Sequence, residues 1–108
     1  MEGVIGAPLD KAAYRHGSAG SVESGCRIDC WLQADVGRLT SVRFEVFAGY
    51  PTIEAAAWLA GWLEGRSLID ATSVTGLWLA EQTQLAAEQR GDALCIEDAL
   101  RAALGEDV

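Results

Sequence analysis

Cys26, Cys30 and Cys95 are the chain's three thiols, and His16 is its single imidazole. With the carboxylates, these are the groups from which a nucleophile or a metal site would be built. Cys26 and Cys30 have the spacing of a CxxxC metal pair. However, Ile28, Cys30, Leu32 and Ala34 alternate with Asp29, Trp31 and Gln33, which is the period of a half-buried strand. Four residues of strand hold two Cα atoms roughly 13 Å apart. The pair can therefore neither share a metal ion nor form a disulfide, which needs Cα atoms within about 7 Å. Cys30, between Ile28 and Leu32 in parity, reads as a small buried hydrophobe.

Cys26 is different, because it follows Ser24-Gly25 at the edge of the strand, where the thiol can be exposed and Arg27 can stabilise a thiolate. Cys95 falls in the first turn of the last predicted helix, where the helix dipole and free N–H groups lower a thiol pKa. Asp92, read as the N-cap of that helix, works against this effect and is also a carboxylate that can ligate a metal. Leu94 and Ile96 flank Cys95, so packing is a competing role for it. Only Cys26, Asp92 and Cys95 can converge on one site, and iron or zinc is what such a set would hold. His16 lies in a Gly/Ser-rich stretch and reads as solvated. There is no Ser–His–Asp set, Walker loop, dinucleotide fingerprint or HExxH, and Glu97-Asp98 reads as a solvated pair on an outer helix face.

The elements that position these groups follow from pattern. Residues 1–15 carry no strong period beyond a short helix after Pro8. His16 to Gly25 is either a flexible loop or an irregular edge strand. The strand that starts near Cys26 turns at Asp35-Val36-Gly37 and returns with Val42, Phe44 and Val46 on one face. After Ala48-Gly49-Tyr50-Pro51 the period becomes helical from Thr52 to Glu64, with Ile53, Ala56, Ala57 and Ala60 as a small-residue face, Trp58 and Trp62 as a ridge, and Gly65 as the stop. Ser67 caps a short helix through Ala71, Gly76–Gln89 is a further helix, and the last runs from about Ala93 to Leu104 on Leu94, Leu100, Ala103 and Leu104. Strands precede helices, and the crossovers of a parallel sheet are absent. The fold class is α+β, an antiparallel β-sheet packed on one face by a cluster of helices. We divide the chain into an N-terminal arm or edge element, 1–24, and a single domain, 25–108.

Composition sets limits on function. The 108 residues suit one domain, and half of them are hydrophobic, enough for a two-layer core. Acidic residues outnumber basic ones 16 to 8, which argues against a nucleic-acid binder. No apolar run is long enough to span a bilayer and no signal peptide is visible, so a cytoplasmic protein with no membrane partner is expected. An odd count of three cysteines in such a chain implies free thiols. Periodicity puts most of the four Trp at the sheet–helix interface.

The segment Val42-Arg43-Phe44-Glu45-Val46-Phe47-Ala48-Gly49-Tyr50-Pro51, followed by an Ala-rich helix, resembles the U-type iron–sulfur scaffolds (IscU and the NifU N-terminal domain). Trp62-Leu63-Glu64-Gly65-Arg66-Ser67-Leu68 resembles the turn that closes their small-residue helix, and Ile96–Leu104 resembles their C-terminal helix. The resemblance covers residues 24–104 and implies the same sheet with flanking helices. It also implies cluster-ligand cysteines, and these are incomplete here: one falls on Gly49 or Tyr50, one on Asp92 with Cys95 three residues later, and the first near Ser24 and Cys26. A three-thiolate 2Fe–2S site of the family's kind cannot be built from this chain. The stretch Gly25-Cys26-Arg27-Ile28-Asp29-Cys30-Trp31-Leu32 is similar to the Gly-Cys-x-x-x-x-Trp-Leu stretch of SufE-type sulfur acceptors, which implies a persulfide carried on Cys26.

The sequence thus points to the SufE/NifU-like superfamily and to iron–sulfur cluster assembly. Cys26 is the candidate sulfur carrier; Cys26, Asp92 and Cys95 are the candidate ligands for iron, zinc or a labile cluster. A non-catalytic docking module is the third reading. The expected partners are a cysteine desulfurase or other assembly proteins.

Overall fold

The computed structural model describes residues 5–105. Its sheet has three antiparallel strands in chain order, β1 (Arg15–Ser21), β2 (Cys26–Asp35) and β3 (Arg38–Phe47). In β2 and β3 the alternation dictates the faces. Ile28, Cys30, Leu32, Val42 and Phe44 are fully enclosed on the inner face, and Cys30 has the packing role expected of it. Val36 and Gly37 form the two-residue turn between β2 and β3 with φ of 50° and 78°, the geometry that matches the twist of a hairpin. Gly37 adopts this freely, whereas β-branched Val36 is strained there.

The stretch read as either loop or edge strand is the strand β1, in continuous register with β2 from Arg15↔Leu32 to Ser21↔Cys26. On the outer face, Trp31 is buried as well, because the His16 ring stacks on it at 4.9 Å and Lys11 lies over it.

Four helices follow: α1 (Tyr50–Leu63), α2 (Leu68–Thr72), α3 (Gly76–Thr83) and α4 (Arg90–Leu104). The two that cover the sheet are α1, against β3, and α4, against β1 and β2. α4 buries Ala93, Ile96, Ala99, Leu100 and Ala103, an i, i+3, i+4, i+7 stripe. Leu94, expected among its anchors, is half exposed. The stripe is rich in alanine so that the helix backbone can come close to β1. A Cβ placed on Gly17 would sit 2.1 Å from the amide nitrogen of Ala103. The Arg15 guanidinium then donates to the Leu104 carbonyl at 2.7 Å, satisfying one free acceptor at the helix end.

Several expected details shift. The inner face of α1 is Thr52, Ala55, Ala56, Leu59, Ala60 and Leu63, not the face centred on Ile53 and Ala57. Trp58 and Trp62 are turned away from the sheet and cluster with Trp78 of α3, with Arg66 over the Trp62 ring at 3.8 Å. The helix expected through Gln89 stops at Thr83, where Gln84 takes a left-handed conformation, and a 3-10 turn at Ala87–Gln89 leads directly into α4. Glu97, expected to be solvated, accepts from the Gly76 amide at 2.7 Å and from Arg101 at 2.8 Å, fixing the start of α3 on α4.

Candidate functional site

One end of the sheet gathers four elements: the end of β1, the first residue of β2, the first turn of α1 and the N-terminal half of α4. Cys26 opens β2 with inward parity, and its side chain lies under α4, 8% exposed. α4 begins at Arg90, three residues earlier than the expected start, so Asp92 stands inside its first turn and does not cap it. The same shift moves Cys95 out of the first turn, away from the free amides. Inward parity on β2 and the helical phase of α4 bring Cys26, Asp92 and Cys95 to a common corner.

Polar contacts define that corner. Cys95 Sγ lies 4.0 Å from the carbonyl oxygen of Cys26. The Cys26 thiol lies close enough to the side chains of Cys95 and Asp92 for both to disfavour its ionisation. Asp92 also accepts from Thr52 Oγ1 at 2.7 Å, which ties the first turn of α1 to α4. Thr52 is fully buried, and among the described residues it is the sole buried polar side chain. Pattern reading had no reason to single it out, since a threonine after Pro51 signals only a helix start. Gly20, with φ of +80°, completes the corner: a Cβ there would lie 2.1 Å from the Cys26 carbonyl oxygen and 2.7 Å from Cys95 Sγ. The glycine that suggested a loose arm is what permits this close approach.

The electrostatics run against the expected thiolate. Burial, reinforced by Cys95 and the Asp92 carboxylate, pushes the Cys26 thiol far above its ordinary value near 9. Burial also raises Cys95; the Cys26 thiol and the Ile28 amide pull the other way, while Asp98 and Asp92 add to the rise. Arg27 does not reverse this, because its parity sends it to the outer face, where it pairs with Asp29 at 3.3 Å. His16 is held on the same face by Asp29 at 2.8 Å and is not part of the corner. Both thiols are therefore neutral at pH 7.

The donor set also bears on an iron–sulfur cluster or a metal ion. Two thiols and one carboxylate fall short of three thiolates, Tyr50 is exposed at the start of α1, and Ser24 is engaged in the β1–β2 turn through the Ser21 carbonyl. Among the described residues, no group of three or more His, Cys, Asp or Glu side chains is placed to hold a metal ion. The corner, as built, does not fit a cluster held by three thiolates. Among the same residues no helix is long and apolar enough to cross a membrane.

No family model matches the chain, and no curated protein matches its sequence. Its fold is similar to the crystal structure of a protein from the thermophile Fervidobacterium islandicum AW-1, described as a candidate iron–sulfur cluster assembly scaffold protein for the SUF system. The TM-score is 0.69 at 10% identity, over 96% of this chain and 88% of that one. The similarity establishes the α+β scaffold-type fold.

Proposed function

We propose that the chain works in iron–sulfur cluster assembly as a scaffold-type protein that lacks a complete set of cluster ligands, and that its Cys26 corner accepts sulfur. The observation that carries this reading is the meeting of Cys26, Asp92 and Cys95 at one end of a scaffold-type fold, although they are far apart in sequence. Asp92 supplies what a buried thiol lacks. Its carboxylate stands near the Cys26 thiol, so the proton can pass to Asp92 as Cys26 Sγ attacks the terminal sulfur of a donor persulfide. The donor S–S bond breaks, the donor leaves as a thiolate that takes up a proton, and Cys26 becomes the persulfide. Cys26 is 8% exposed, so the corner must open for a donor to reach the sulfur.

The burial of Cys26 favours a second reading, a docking module that retains the fold and binds an assembly partner without chemistry. Intact mass after incubation of the reduced protein with a cysteine desulfurase and cysteine separates the two. A gain of about 32 Da per sulfur on wild type, absent from Cys26→Ser, is expected for a persulfide carrier. No gain, in a reaction where an established acceptor is loaded, leaves docking as the function.

A further inference from the structure

We infer that Cys26 and Cys95 are a reversible dithiol/disulfide pair that joins the first residue of β2 to the second turn of α4. The two residues are 69 positions apart in the chain, yet Cys95 Sγ lies 4.0 Å from the carbonyl oxygen of Cys26. The space for this contact is specific, since any side chain at position 20 would occupy the place of Cys95 Sγ. A disulfide is about 2.05 Å long, so oxidation draws the two sulfurs together at a corner the fold has already assembled. Cys30 cannot substitute. It lies four strand residues, roughly 13 Å, from Cys26, and it is fully enclosed between the sheet and the helices.

A small disulfide such as oxidised glutathione suffices as the oxidant. Cys95 is the more exposed of the two thiols and reacts first. Cys95, neutral at pH 7, gives up its proton to solvent as its sulfur attacks one sulfur of the oxidant and expels a glutathione thiolate, which takes up a proton. Cys26 then attacks the Cys95 sulfur of the mixed disulfide and expels the second glutathione in the same way. The protein loses two electrons and two protons, and one glutathione disulfide becomes two thiols. Because the linked form sequesters Cys26, it is also the form in which the proposed sulfur transfer is closed. The pair itself does not depend on that reading, and failure of sulfur loading leaves it intact.

The test is equilibration of the full chain in glutathione buffers of increasing oxidised fraction, followed by acid quench, denaturing alkylation, intact mass and peptide mapping. Two of the three cysteines should lose alkylation reversibly, with dithiothreitol restoring all three. Mapping should place the bond between the peptides of Cys26 and Cys95. Cys30→Ala should retain the effect, and Cys26→Ser and Cys95→Ser should lose it. Peptide mapping of wild type decides the matter even where a variant fails to fold. Three alkylatable thiols in the most oxidising buffer, or a bond that involves Cys30 or a second chain, would overturn the inference.

Discussion

Thr52 and Asp92 bear the same relation to each other as a lock and its only keeper. Thr52 Oγ1 is buried and donates to Asp92 Oδ2. Removing the acceptor leaves a buried hydroxyl without a partner, a cost of about 1–3 kcal/mol. Asp92→Ala should therefore lower the unfolding free energy measured by urea titration by that amount, while Asp92→Asn, which keeps an acceptor oxygen, should lose less. Adding Thr52→Val to Asp92→Ala should restore part of the loss, and additive losses in that double-mutant cycle would show that the contact carries no coupling. At this scale the sequence was half legible. Cys30 was readable because its neighbours in parity are Ile28 and Leu32. The joint candidacy of Cys26, Asp92 and Cys95 was readable from residue type. Their protonation was not, because burial of Cys26 depends on α4, an element more than sixty residues away. Asp92 was misplaced for a local reason: an Asp ahead of an apolar run is a strong N-cap signal, but the 3-10 turn at Ala87–Gln89 carries the helix start back to Arg90.

β1 shows what a period cannot reveal about an element. Its inward residues are Gly17 and Ala19, with no large apolar side chain to announce a strand, because α4 packs backbone against backbone there. By contrast β2 and β3 bury Ile28, Leu32, Val42 and Phe44 and were legible at once. α1 was legible as a helix but not in its orientation. It is apolar on most of its circumference, so Trp58 and Trp62 could be taken for core residues until α3 supplied Trp78 as their partner. The close packing of β1 on α4 gives a sharp prediction. Alanine in place of a strand glycine normally gains backbone stability. Gly17→Ala should instead destabilise by about 1–3 kcal/mol, the cost of overpacking, since its Cβ would collide with the Ala103 amide and the Ala102 carbonyl carbon. Hydrogen exchange should show β1 amides losing protection before those in the centre of β2. Unchanged protection in β1 would mean that the strand is not held by α4.

For the whole molecule, layer order was the most legible feature, since strands before helices leave few ways to bury one sheet face. The acidic balance of 16 to 8 shapes the field around the molecule but leaves the fold alone. The buried thiols, in contrast, couple the fold to pH. Cys26 and Cys30 both have folded pKa values raised by burial above an ordinary value near 9. Below that value folded and unfolded chains both hold these protons, so the two thiols add no pH dependence and their contribution is fully present. As pH rises past about 9, the unfolded chain releases them while the folded chain retains them. Stability then falls by up to about 1.4 kcal/mol per pH unit per thiol, and the decline continues until the folded pKa is reached. Urea midpoints at pH 8, 9 and 10 should thus fall more steeply for wild type than for Cys30→Ala, despite the variant's lower stability at pH 8. Because other groups titrate equally in both proteins, the difference in slope isolates the thiol. Parallel slopes would mean that the Cys30 proton is no more tightly held in the folded chain than in water, which complete enclosure between sheet and helices does not allow.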